Sequence, residues 1–320
     1  MADASTVSVC VLVYNHANVI ETTLQSILDQ SIVDCEVVVS DDCSTDGTWE
    51  ILSAMQEKYP RVRAIRTPRN LGMAGNANFA VAATTGDYIA LLHHDDLYRS
   101  DLLAKWMTLL ERHPDIGFVF NEYRLEHSDV DLSEPIPGGR VDGMWLLNKF
   151  LFPRWGCPVR GTAMIRRTAW NRAGGMRVEF GLLADIDLWM RLSMVGAVGY
   201  VPEPLIMVRH ARPDSYPDIY KATHWSWARL VYLYMIHGKN RQAYFASRPY
   251  ARALGWPLFR MRLSVETTKW LSYALLRRKW VMLETCMESK TPYDLLPLRL
   301  YRHLVLALSR VLGRGRASGV

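Results

Sequence analysis

Residues 91–98 read LLHHDDLY, two histidines and two aspartates after the apolar segment GDYIA. Four adjacent titratable side chains at the end of a buried strand are costly unless something compensates them. Adjacent carboxylates repel, and a cation relieves the repulsion. Oxygen donors select hard ions such as Mg2+ or Mn2+, which are held by one or two carboxylates together with substrate phosphates. Asp95 and Asp96 are therefore candidate metal ligands; the competing reading is a helix cap. A second polar cluster, DDCSTDGT over 41–48, follows the apolar run CEVVVS. Asp41 there should point into the same crevice, where a carboxylate accepts from the edge of a nucleobase or from ribose hydroxyls. Asp46-Gly47 is a turn signal, and Thr48 is placed to cap a helix that starts at Trp49.

The elements that must position these groups alternate. VSVCVLVY (7–14) and CEVVVS (35–40) are continuous β-branched runs, the pattern of strands buried on both faces. Between them Ile20, Leu24, Ile27 and Leu28 recur at helical spacing. RVRAIRT, the small-residue helix AGNANFAVAAT, the strand GDYIALL and a helix SDLLAKWMTLLERH capped by Ser100 follow. This order predicts a parallel sheet covered on both faces, with ligands bound outside the carboxyl ends of its strands. Tyr14-Asn15, Asp41-Asp42 and Asp95-Asp96 all fall at those ends. Further on, residues 128–143 read as a long surface loop, 159–167 and 203–210 as strands, and 185–196 as a helix. Beyond Pro217 the segments 219–237, 241–254, 257–278 and 298–312 read as helices.

The pieces VLVYN, VVVSDDCSTDGT, RNLGMAGNAN, GDYIALLHHDD and ADIDLWMRL, in this order within residues 7–212, resemble glycosyltransferase family 2. These are inverting enzymes with the GT-A nucleotide-diphospho-sugar fold. The resemblance implies an α/β chain with a Rossmann-like, mostly parallel sheet and helices on both faces; the C-terminal helical region rests instead on the helical segments read beyond Pro217. The catalytic domain would span 1–217, with a nucleotide half to about 117 and an acceptor half over 118–217; 218–320 would form the helical region. Asp41 would contact the base and Asp42 its surroundings, with Tyr14, Asn15, Glu21, Asn76 and Asp95 completing the nucleotide pocket. Asp95, Asp96 and His210 would serve Mn2+ or Mg2+. Asp185, the second acid-motif residue of ADIDLWMRL, would be the base that deprotonates the acceptor hydroxyl. Asp187 and Arg191 also read as a plain i,i+4 ion pair. Four positions depart from the family pattern. His93 replaces the first aspartate of the metal motif, Gly75 an arginine and Ala184 a glutamate, while Arg209 and His210 are adjacent where one residue normally separates them. His94 reads as a ligand, a phosphate donor or a lining residue.

The implied activity is inverting, metal-dependent transfer, hexosyltransferase in type, from a nucleotide-diphospho-sugar to a hydroxyl of a glycan or lipid-linked glycan. Bacterial surface polysaccharide is the implied setting. The alternative is a non-catalytic nucleotide-sugar-binding or scaffolding member, favoured by Ala184, Gly75 and His93. A sugar-phosphate nucleotidyltransferase is disfavoured, because VYNHANVIE has no Gly-rich basic loop.

Charge is polarised along the chain. Residues 1–220 carry 20 Lys and Arg against 28 Asp and Glu, whereas residues 221–320 carry 18 against 4. A basic, aromatic tail with an amphipathic last helix suits an anionic membrane surface as well as packing on the core. No nucleic-acid motif accompanies it. The five cysteines match no zinc spacing, which predicts a reducing compartment. The opening MADASTVSV lacks a signal-peptide pattern, and no run of about 18 apolar residues occurs. The expected location is cytoplasmic, with peripheral contact to the inner face of the membrane.

Overall fold

The computed structural model describes residues 6–32, 34–127, 134–153, 157–209, 235–246, 248–276, 300, 301, 303–305 and 307. The chain divides into two compact units, Met1–Asp214 and Ser215–Val320. In the first, the alternation runs β1 (Val7–Val13), α1 (Ile20–Leu28), β2 (Cys35–Asp41), α2 (Thr48–Lys58), β3 (Val62–Arg66), α3 (Gly72–Ala82) and β4 (Tyr88–His93). There follow β5 (Leu97–Tyr98), α4 (Leu102–Arg112), β6 (Ile116–Leu125), β7 (Gly139–Val141) and α5 (Gly143–Leu146), extended by a π-helical stretch, Leu147–Leu151. The unit closes with β8 (Ala163–Arg166), α6 (Arg167–Ala173), a 3-10 segment (Val178–Leu183), α7 (Ala184–Val195) and β9 (Ala197–Val208).

One mixed sheet organises the unit, in the order β3-β2-β1-β4-β8-β6-β9-β5, with β7 on β9. The four strands β3, β2, β1 and β4 are all parallel, as the β-branched runs require. Val7, Val9, Val11 and Val13 share a core with Ile20, Leu24 and Ile27 of α1, Leu52 of α2 and Trp106 of α4. The small-residue helix α3 packs on β1 and β2 with Ala77 and Ala80 fully buried, on the face where Cys10 lies. Short side chains let this helix approach the sheet closely.

Register explains how the polar clusters meet. Val13 pairs with Asp41 and Leu12 with His93, so β1, β2 and β4 end level with one another. The residues that follow each strand therefore emerge along one edge, the place where open α/β sheets bind ligands.

Several local expectations are corrected. Thr48 does not cap α2: Gly47, at φ +87°, holds the N-cap position, and Asp46 Oδ1 accepts from Thr48 N–H at 3.1 Å. Asp46 takes over because the tight turn brings its short side chain under the first helical turn. Ser100 does not cap α4 either; Asp101 is the N-cap residue, and the Ser100 carbonyl accepts from Ser31 N–H at 2.8 Å. The strand expected over 159–167 is confined to Ala163–Arg166, because Gly161 at φ +81° breaks the extended run before it. β9 begins at Ala197, six residues earlier than its apolar pattern suggests. The antiparallel pairing of β8 with β4 and β6 was not in the alternation either.

In the second unit residues 235–246 are helical, and a single helix runs from Pro249 to Leu276 through Pro257. A proline removes one backbone bond, and the helix continues on both sides of it, closing the break expected at 254–257. Leu258, Met261 and Val265 are exposed along it. Most of the expected helices 219–237 and 298–312 fall outside the described residues. No described helix is long and apolar enough to cross a membrane.

Candidate active site

At the end of β1, Asn15 adopts φ +55°, a left-handed conformation that asparagine tolerates better than most residues. Its N–H donates to Ser44 Oγ and its Oδ1 accepts from Thr45 N–H, both at 2.8 Å. Asn15 thus stitches the first loop to the DDCSTDGT turn. The neighbouring Tyr14 ring stands at the rim, 38% exposed. Glu21 lies exposed in the first turn of α1.

The pair at the end of β2 is held by protein groups. Asp41 has no exposed surface; its carboxylate meets Arg66 Nε at 3.1 Å and accepts from Ser44 N–H. Burial raises its pKa, against the pull of Ser44 and Arg66. Asp42 Oδ1 accepts from Leu71 N–H at 2.7 Å and from the Thr67 hydroxyl at 2.9 Å. Asn76, on α3, is also buried: it donates to the Ser40 carbonyl and accepts from the Ser40 hydroxyl. Arg66 had not stood out in the sequence. Its guanidinium lies over the Trp49 ring and seals Asp41.

The pair after β4 is built differently. Asp95 lies among imidazoles, and no lysine or arginine among the described residues pairs with its carboxylate as Arg66 does with Asp41. One ligand atom from each of His93, Asp95 and Asp96 lies within 4.8 Å of the others, and a second such group is His16, His94 and Asp95. Burial pushes Asp95 up, but His94, His93 and His16 outweigh it and hold the carboxyl below its ordinary range. Asp96 is pushed up to about 6 by burial and by the charge of Asp95, against His93 Nδ1 at 3.7 Å and the Arg209 backbone N–H. Burial depresses His94 to about 4 despite Asp95 beside it. The donor set of oxygens and imidazole nitrogens fits a divalent cation. His210, expected as a further ligand, lies outside the described residues.

Arg209, its neighbour, clamps the turn. Its Nε donates to the Asp95 carbonyl at 2.7 Å and its Nη2 to Thr23 Oγ1 at 2.6 Å. The end of β9 is thereby tied to α1 and to the acidic pair. Tyr98 adds a bond from its buried hydroxyl to the His93 carbonyl at 2.8 Å.

Asp185 opens α7 across the crevice. Its Oδ1 is shielded from solvent with no hydrogen-bond partner among the described residues. Burial raises its pKa, opposed by the Ile186 N–H and by His93. Gly161 connects the two sides: a Cβ there would collide with the His93 ring and stand 3.5 Å from Asp185 Oδ2. Only a bare backbone at positive φ fits between them. Asp187 points elsewhere. It is buried against Arg191 at 2.7 Å and Arg177 at 3.2 Å, and Arg191 also donates to the Gly175 carbonyl. This pair fastens α7 to the 173–177 turn and so fixes where Asp185 emerges.

The mostly parallel mixed sheet, with two acidic pairs at its carboxyl edge and a third acid across Gly161 from one of them, has the GT-A fold. Residues 8–172 match the family model for glycosyl transferase family 2, and the chain belongs to that family. It is 32% identical to EpsE of Bacillus subtilis (strain 168) over 213 residues, 63% of this chain and 72% of that one. It is 29% identical over 197 residues to the chondroitin synthase of Pasteurella multocida, which covers 59% of this chain but only 19% of the longer synthase. Among solved structures, the mannosyltransferase PcManGT from Pyrobaculum calidifontis, in complex with GDP-Man and Mn2+, superposes with a TM-score of 0.57 at 19% identity. The match covers 99% of this chain and 89% of that one. The protein is thus a glycosyltransferase with relatives in bacterial polysaccharide synthesis.

Proposed function

We propose that the protein transfers a hexose, with inversion and with a bound divalent cation, from a nucleoside-diphospho-sugar to a hydroxyl of a glycan or lipid-linked glycan. The setting is assembly of a bacterial surface polysaccharide. The observation that carries this reading is that Asp185 and the His93–Asp95–Asp96 group face one another across Gly161. The reaction is one in-line displacement. The acceptor oxygen bonds to the anomeric carbon as the bond from that carbon to the diphosphate breaks, the electron pair leaving with the diphosphate. The acceptor proton passes to Asp185, whose unpartnered Oδ1 can take it. A raised pKa suits a base that must hold a proton after the step. Asp95 and Asp96, with His210 from the following segment, would hold Mn2+ or Mg2+, which neutralises charge developing on the departing diphosphate. Tyr14, Asn15, Glu21, Asp41, Asp42 and Asn76 frame the nucleoside side. Asn76, Asp41 and Asp42 act by shaping the strand ends, with Asp41 held by Arg66 and Ser44.

The exposed Leu258, Met261 and Val265 on a helix of the basic second unit support contact with an anionic leaflet from the cytoplasmic side. The test is thermal unfolding with UDP, GDP, dTDP and CDP, each with and without Mn2+. Ligand at about 100 times its dissociation constant stabilises by roughly 2.7 kcal/mol. One nucleotide should raise Tm, and only with the metal. In the Asp185→Asn variant that shift should persist while transfer falls about 10²–10⁴-fold. Absence of any shift would favour a non-catalytic member; loss of shift and transfer together would remove Asp185 from the base role.

A further inference from the structure

Beneath the crevice, where β1 and β4 end side by side, the rings of His16 and His94 meet with centroids 3.8 Å apart and planes tilted at 58°. Each is oriented by a carbonyl of the same β1 end. His94 Nδ1 lies 2.6 Å from the Leu12 carbonyl oxygen and His16 Nδ1 lies 2.7 Å from that of Tyr14. A carbonyl oxygen only accepts, so in both rings Nδ1 must carry the hydrogen. That leaves Nε2 as the basic nitrogen of each neutral ring. A carbonyl on one ring nitrogen is the arrangement that orients metal-ligating histidines and sharpens the donor on the other side.

His94 Nε2 is shielded from solvent and has no hydrogen-bond partner among the described residues. A buried acceptor left so keeps its desolvation cost, which a ligand would recover. The Asp95 carboxylate completes the group, with one ligand atom from each of the three residues within 4.8 Å of the others. The backbone of this carboxylate is fixed by Arg209.

We propose that His16, His94 and Asp95 form a binding site for a transition-metal ion of the zinc type, distinct from the Asp96 side that faces the donor diphosphate. Two imidazoles and a carboxylate suit zinc, cobalt or iron; magnesium prefers an all-oxygen shell. Asp95 belongs to both groups, so an ion held here would fix the carboxylate that the diphosphate side also uses. The site ties the loop after β1 to the turn after β4. It does not depend on glycosyl transfer, and its test contains no nucleotide.

The experiment uses the full chain without an affinity tag, stripped by chelator and titrated with Co2+. One equivalent should develop visible d–d bands of a low-coordinate nitrogen-oxygen site, displaced by Zn2+ and untouched by a large excess of Mg2+. His94→Gln and His16→Gln should each weaken Co2+ binding by at least the ~10–100-fold that losing even an outer partner costs. Asp96→Asn should retain it. A wild-type chain that gives no stoichiometric spectrum overturns the proposal, as does equal affinity in the double histidine variant. Loss in Asp96→Asn equal to that in His94→Gln would also overturn it, by assigning the ion to the outer group. Should the histidine variants fail to fold, X-ray absorption of the zinc-loaded wild type decides. Two imidazole ligands support the site, and fewer than two sink it.

Discussion

The same dipeptide, Asp-Asp, stands at the ends of β2 and β4, the two strands that flank β1, and the two copies are treated in opposite ways. Asp41 and Asp42 are satisfied from within: the Arg66 guanidinium, the Thr67 hydroxyl and the backbone N–H groups of Ser44 and Leu71 converge on them. Asp95 and Asp96 receive no comparable lysine or arginine side chain among the described residues. Imidazoles surround them, and burial pushes Asp96 up to about 6. A buried carboxylate is stable when its charge is compensated locally, and otherwise it waits for a cation from outside. The first pair is therefore scaffolding that gives the nucleoside side a fixed shape. The second is a vacancy of charge that a cation and a diphosphate can share.

The sharpest way to break this contrast is Asp96→Asn. The variant removes a buried charge that no lysine or arginine side chain among the described residues pairs with directly, so the metal-free chain should be as stable in urea as the wild type, or more so. Metal-dependent nucleotide binding should vanish, and transfer should fall about 10²–10³-fold, the scale for losing one preorganised electrostatic contact. A variant that unfolds early while keeping its metal response would make the second pair scaffolding like the first.

Next in size is Asp42→Ala. It leaves the Leu71 N–H and the Thr67 hydroxyl without their carboxylate. A buried donor without a partner costs about 1–3 kcal/mol. The urea midpoint should drop accordingly, with the response to Mn2+ intact in whatever fraction stays folded. Unchanged stability would mean that the turn carries no structural load and that Asp42 is free for ligand.

This contrast was only half legible in the sequence. Both pairs could be placed at strand ends, because β-branched runs buried on both faces announce themselves and parallel connection does the rest. What compensates each pair could not be read, since the compensating groups are distant in the chain. Arg66 reaches Asp41 from the next strand over, and Arg209 reaches Asp95 from the far end of the unit. His16 gave no signal of its own. It could have been found by asking which residue follows β1 beside His94, once β1 and β4 are taken as neighbours. Gly161 was hidden inside a segment read as strand, because its role is a left-handed turn wedged between two side chains. Thr48 and Ser100 were misplaced as caps for a smaller reason: cap chemistry is shared among adjacent polar residues, and the backbone decides which one serves.

The smallest expected effect separates pairing from burial. Asp101 is as well partnered as Asp41, with Arg99 Nε at 2.5 Å and Lys105 Nζ at 3.5 Å, but it lies at the surface. The Arg99 hydrogen bonds hold its carboxyl at about 2. Because the folded value lies below the unfolded one, the stabilisation is present above the unfolded carboxylate range of about 3.9. It is lost as pH falls toward the folded value. Solvent screens an exposed pair, so Asp101→Asn should cost only about 0.2–1 kcal/mol at neutral pH, well below Asp42→Ala. The gap in Tm between variant and wild type should narrow as pH drops from about 5 to about 3, and it should shrink in high salt. A cost as large as that of Asp42→Ala would mean that partners alone, and not partners in a desolvated site, set the difference between the two acidic pairs.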